Sequence, residues 1–138
     1  QKHGRIIIAV GSAEESATEE NPWTASERME MIAAALHEEK IPANRYWILP
    51  VRNINNYGLW VQHVTVLTPR FQHVYSGSPI VEKLFKKDGR YTFHKVALYK
   101  KFSGTRVRAL IKTKNPEWKK LVPKGVATLL APTVQIET

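Results

Sequence analysis

The sequence contains no cysteine. Disulfides, thiolate metal centres and thiol nucleophiles are thereby excluded, and the chain reads as cytoplasmic. Long apolar runs are also missing. Nothing approaches the roughly 20 residues of a membrane-spanning helix, so no membrane association is expected. The opening "QKHGR" is followed by the short run "IIIAV" without a small-residue cleavage site, which does not fit a secretory signal. A phosphate loop of the form G-x-x-x-x-G-K-[ST] is absent. His3, His37, His63, His73 and His94 show no metal-ligand spacing, so no protein-held metal is predicted. There is no Ser-His-Asp order and no carboxylate pair suggestive of hydrolysis. Internal repeats and low-complexity tracts are lacking as well.

What is present suits a folded domain. The chain has 138 residues, of which 43% are hydrophobic, enough for one cored domain spanning residues 1–138. The formal net charge is +9, and it is unevenly spread. Residues 1–40 hold eight acids, all Glu, against four Lys or Arg. Residues 83–124 hold fourteen Lys or Arg against two acids, Asp88 and Glu117. The second half is therefore the electropositive one. It suits a solvated surface, a phosphate-bearing ligand or a nucleic acid.

Punctuation along the chain sets the expected elements. "RIIIAVGS" is a continuous apolar run ending at a glycine, as in strands buried on both faces of a parallel sheet. Thr24 and Glu27 have capping-box spacing, and Met29, Ile32, Ala33 and Leu36 follow on one helical face until Pro42. "RYWILPV" is the next strand, and "NINNYG" a loop of turn formers. "LWVQHVTVL" is ambiguous: its β-branched residues favour a strand, while Leu59, Val61, Val64 and Leu67 fit a helix poorly but passably. "FQHVYSGS" reads as a short strand and glycine turn. Ser78, Pro79 and Gly89 frame a helix, as N-cap, first residue and stop. "YTFHKVALY" reads as a short strand and loop. "SGTRVRALIKTK", "PEWKKLV" and "PKGVATLLA" read as helices, and the terminal "TVQIET" alternates like a strand. Strands alternating with helices predict an α/β fold with a mostly parallel sheet. Ligands would lie beyond the carboxyl ends of its strands, among the loop after Ser12, the loop around Asn55, the turn Ser76–Gly77 and the start of the Ser103 helix.

The segment "FSGTRVRALI" places the most anion-seeking groups together. A helix N-terminus carries unpaired N–H groups and partial positive charge, which favour phosphate. Ser103 and Thr105 add hydroxyls, Gly104 permits close approach of a ligand, and Arg108 lies where its guanidinium can fold back onto phosphate oxygens. A capped helix with solvent-facing arginines is the alternative. Arg28 suits either the same crevice or a surface pair with an acid such as Glu30. Trp60, next to "NINN", suits either ring stacking or packing.

Several of these segments together resemble a known family. "GSAEESATEENPWTASERMEMI", "ILPVRNINNYGLWVQHV", "VYSGSPIVEKLF", "FSGTRVRALI" and "WKKLVPKGV" are similar, in order and spacing, to the archaeal-type nicotinamide mononucleotide (NMN) adenylyltransferases. The likeness runs from about Ile6 to Val126. It implies a Rossmann-like nucleotidyltransferase fold, with a mostly parallel sheet flanked by helices, and transfer of AMP from ATP to NMN with Mg²⁺, yielding NAD and pyrophosphate. It implies ATP-phosphate contacts for Ser103, Gly104, Thr105 and Arg108, a nucleotide contact at Ser76 and Gly77, and a nicotinamide contact at Ile54, Asn55 and Trp60. Arg28, in the family's "ER" pair, would join Arg108 as a catalytic residue. A homo-oligomer is implied too.

The chain departs from that pattern in places. The family's first strand and its H-x-G-H pair are not found, so the chain is expected to be N-terminally incomplete, or to fill the slot with "TVQIET", and to turn over weakly or not at all. Asn53 stands where an acid is usual, and Ser78 where an Asn is usual. A basic nucleic-acid-binding module and a nucleotidyltransferase with a different acceptor remain the alternative readings.

Overall fold

A computed structural model describes residues 4–97 and 103–136. The chain forms two compact units: Gln1–Arg52 with Lys100–Thr138, and Asn53–Tyr99. Among the described residues every strand pairing is parallel, in two separate two-stranded sheets, one per unit.

The first unit opens with a β–α–β step. β1 (Ile6–Val10) pairs with β2 (Tyr46–Pro50) in register from Ile6 opposite Tyr46 to Val10 opposite Pro50. The ladder continues past the strands, since Val51 N–H donates to the Val10 carbonyl (2.8 Å) and Ala13 N–H to that of Val51 (3.2 Å). Parallel strands need a crossover, here α1 (Ala25–Glu38). Its start is fixed as the sequence predicts. The Thr24 hydroxyl accepts from Glu27 N–H (3.1 Å), and the Glu27 carboxylate accepts from Thr24 N–H (3.0 Å).

The carboxyl-terminal part of this unit consists of α4 (Gly104–Lys112), a 3₁₀ turn (Pro116–Lys120) and α5 (Lys124–Ile136). Its core is Val107, Trp118, Val126 and Leu130, with Trp23, Met31 and Ala35 packed against them. Backbones approach closely there: a Cβ on Gly125 would sit 3.4 Å from that of Ala34. The expected "TVQIET" strand is corrected, because Thr133–Ile136 continue α5.

The second unit contains α2 (Tyr57–Leu67), β3 (His73–Ser76), α3 (Pro79–Asp88) and β4 (Thr92–Lys95). The second crossover, β3–α3–β4, aligns His73 with Thr92 and Ser76 with Lys95. α3 has the predicted ends: Ser78 as N-cap, Pro79 in its first turn, and Gly89 as a left-handed stop at φ 79°. "LWVQHVTVL" is a helix and not the favoured strand. Asn56 caps it by accepting from Gly58 N–H, and Val61 and Val64, three residues apart, are buried. The helix period matches that burial, and strand alternation does not; packing overrides β-branched propensity. Phe85 lies at the centre of this unit, with Trp60, Phe71 and Tyr91 edge-on to its ring at 5.4–6.1 Å.

Candidate functional site

The amino end of α4 takes its shape from three local contacts. Ser103 is the N-cap, its hydroxyl oxygen accepting from Arg106 N–H (3.2 Å). The hydroxyl proton stays available for a ligand. Arg108 folds back along the helix, and its Nη2 donates to Thr105 Oγ1 (3.4 Å). Its guanidinium lies over Gly104, where a Cβ would meet Nη1 at 3.0 Å. A hydroxyl, a cap and a guanidinium thus share one helix end, beside N–H groups carrying partial positive charge. The helix is anchored from below by Val107, which is buried in the core with Trp118.

This helix end opens onto a cleft of about 980 Å³, within the range of small-molecule sites. One wall is α4, through Thr105, Arg108, Ala109, Ile111 and Lys112. The other is the segment from Thr18 to Trp23. The cleft therefore joins, in one unit, the far part of the loop after Ser12 and the Ser103 helix; the loop around Asn55 and the turn Ser76–Gly77 belong to the other unit. Lys112 reaches Glu19 across the cleft (2.5 Å), and the ammonium group beside it holds the Glu19 carboxyl below its ordinary value.

Arg28 holds the first part of the same loop. Its Nη1 donates to the Gly11 carbonyl (2.7 Å), and its Nη2 to those of Ser12 (2.9 Å) and Glu15 (3.5 Å). Its Nε is buried without a partner. The guanidinium thus grips the backbone that follows β1, including Ser12 in a left-handed conformation at φ 48°. It does not make the surface pair with Glu30 that the sequence left open.

The remaining candidates belong to the second unit. Asn55 has φ 49°, in a turn where its N–H donates to Asn53 Oδ1 (3.1 Å). Ile54 is half-buried beside it. Trp60 packs edge-on to Phe85 with ring centroids 5.7 Å apart, a packing contact. Ser76 ends β3, and its hydroxyl accepts from Ser78 N–H (3.1 Å); Gly77 lies between them, ahead of α3. Sequence reasoning missed Thr18, Glu19, Asn21, Trp23 and Lys112 as cleft residues. Glu19 and Lys112 are 93 positions apart, and no local pattern joins them.

Known proteins resemble this chain closely. A cytidylyltransferase-like family model matches residues 1–110. The nicotinamide-nucleotide adenylyltransferase of Methanococcus aeolicus is 40% identical over 127 residues, 91% of this chain and 71% of that protein. That of Pyrobaculum aerophilum is 42% identical over the same shares. The Archaeoglobus fulgidus protein of the same name is 37% identical over 94% of this chain and 76% of its own length. Among solved structures, a bifunctional NMN adenylyltransferase/ADP ribose pyrophosphatase from Francisella tularensis superposes with a TM-score of 0.66. At 16% identity, over 97% of this chain and 46% of that one, the likeness is one of fold.

Proposed function

We propose that this chain, which belongs to the cytidylyltransferase-like family, is a nicotinamide-nucleotide adenylyltransferase that transfers AMP from ATP to NMN. A phosphate oxygen of NMN attacks the α-phosphorus of ATP, the bond to the bridging oxygen breaks, and pyrophosphate leaves as NAD forms. Such a reaction needs no protein nucleophile. It needs alignment of the two nucleotides and neutralisation of the charge that grows on the leaving phosphates.

The observation that supports this reading best is the Arg108 guanidinium folded over Gly104 at the amino end of α4. Arg108, the helix N–H groups and the Ser103 and Thr105 hydroxyls hold the ATP phosphates, and Gly104 lets them approach the backbone. Arg108 is one catalytic cation. Arg28, the second catalytic cation, also fixes the backbone of Gly11, Ser12 and Glu15 through their carbonyls. Ser76 and Gly77 contact nucleotide, and Ile54, Asn55 and Trp60 contact nicotinamide.

Among the described residues no cluster of three His, Cys, Asp or Glu could hold a metal. Mg²⁺ is part of the proposal as an ion that comes with ATP, commonly bound by substrate phosphates with one or two carboxylates. When bound, the ion would add charge neutralisation at the phosphates. No helix among the described residues is long and apolar enough to cross a membrane, and a homo-oligomer in the cytoplasm is part of the proposal.

The test is chromatographic detection of NAD from ATP and NMN, with CTP as competing donor and other ribonucleotides as competing acceptors. NAD formed selectively from ATP and NMN supports the assignment. Transfer to another acceptor with none to NMN contradicts it.

A further inference from the structure

The parallel pairing of β3 and β4 brings together two histidines that lie 21 positions apart in sequence. His73 and Tyr75 alternate onto one face of β3. The register sets Thr92 opposite His73 and His94 opposite Tyr75, on that same face. His73 and His94 are therefore diagonal neighbours, within reach for rings. His73 Nδ1 lies 3.0 Å from His94 Nε2. The His94 ring is held in plane by Tyr75, stacked on it at 4.5 Å with an 11° tilt. The register is pinned at both ends, by Thr92 N–H donating to the Gln72 carbonyl and Val96 N–H to that of Ser76 (both 3.0 Å). His73 is exposed, so the pair is open to solvent.

We propose that His73 and His94 form a two-nitrogen chelate for a divalent transition-metal ion. In the metal-free pair one imidazole donates to the other. If each ring carries its proton on the far nitrogen, His73 Nδ1 and His94 Nε2 both present bare lone pairs. That tautomer combination is repulsive without an ion and is the one a metal requires. The ring that donates in the metal-free pair exchanges its proton, through solvent, from the near to the far nitrogen, and no net proton is released.

Distances indicate which ion fits. With metal–nitrogen bonds of about 2.1 Å, a 3.0 Å nitrogen separation subtends about 90° at the metal. A tetrahedral site would need a separation of about 3.4 Å. The right angle matches neighbouring positions of a tetragonal or octahedral complex, as for Cu²⁺ or Ni²⁺, with water at the other positions. Hard Mg²⁺ prefers oxygen ligands and would not compete.

The experiment is titration of tag-free, nucleotide-free protein with Ni²⁺ alone, by calorimetry and by NMR of the imidazole nitrogens. One saturable equivalent is expected, broadening His73 and His94. His73→Ala and His94→Ala should each weaken binding by about tenfold or more, since losing even an outer-shell partner costs about 10–100-fold. His37→Ala should bind as the wild type does. Ni²⁺ should also raise the melting temperature of the wild type but not that of the exposed-site variant His73→Ala. Unaltered binding by His73→Ala, broadening at other histidines only, or no saturable binding below millimolar Ni²⁺ would each overturn the proposal.

Discussion

Replacing Gly104 by alanine should shift stability and ligand affinity in opposite directions. Gly104 is the first residue of α4, and its φ is not positive, so alanine meets no backbone strain there. Gly→Ala at a compatible site stabilises by about 0.4–1 kcal/mol, chiefly by restricting the unfolded chain. For a chain of this size that raises the melting temperature by about 1–4 °C. The new methyl would lie 3.0 Å from Arg108 Nη1 and 3.9 Å from Cζ. The far end of a flexible side chain yields, so the fold is spared while the guanidinium moves off Thr105. The methyl also occupies space that a phosphate would approach. A charged hydrogen bond contributes about 1.5–3 kcal/mol, so complete loss of one phosphate contact would weaken nucleotide binding about 10- to 150-fold. Gly104→Ala should lie within that limit, as a several-fold rise in the Kd for ATP. Calorimetry gives the affinity and scanning calorimetry the stability. A more stable variant that binds ATP as tightly as the wild type would refute the reasoning.

Trp118→Ala should destabilise the protein by about 3–5 kcal/mol, read as a lower urea midpoint, because Trp118 is 2% exposed and packs under α4 against Val107. Arg28→Ala should speed proteolytic cleavage within Ala13–Pro22, since three carbonyl acceptors lose their donor, while Arg28→Lys should restore only part of the protection because it lacks the guanidinium fork. Asp88 is bridged by both Arg90 Nε (2.7 Å) and Nη2 (2.9 Å), and that bonding holds its carboxyl below its ordinary value. A depressed folded-state value stabilises the fold above the unfolded value, and the effect is lost as pH falls through the folded one. The stability gap between wild type and Asp88→Asn should therefore be small at neutral pH, as for exposed pairs, begin to shrink near the ordinary aspartate value of about pH 4, and be gone only once the pH is under the lowered folded-state value.

Local chemistry was the legible part of this fold. Thr24 with Glu27, Ser78 with Pro79 and Gly89, and Ser103 before Arg106 are contacts within a turn or element, so spacing alone declares them. The folding-back of Arg108 belongs to the same class, because its partner Thr105 is three residues away. The α2 segment is ambiguous in sequence because burial of Val61 and Val64 is set by tertiary packing, which propensity does not register. Arg28 stands out in the sequence, but its partners do not, being carbonyls up to 17 positions distant. Glu19 with Lys112 and His73 with His94 were hidden for the same reason. Strand register brings the histidines together, and no spacing rule for metal ligands anticipates a parallel crossover.

The central claim is that the amino end of α4, with Arg108 laid over it, holds the phosphates of a nucleotide. The most direct measurement is the Kd of ATP for the wild type and for Arg108→Ala, by calorimetry under identical salt. A rise of about 10- to 150-fold in the variant, with melting temperature unchanged, is predicted. Equal affinities, or an ATP that binds the wild type not at all, would contradict the account.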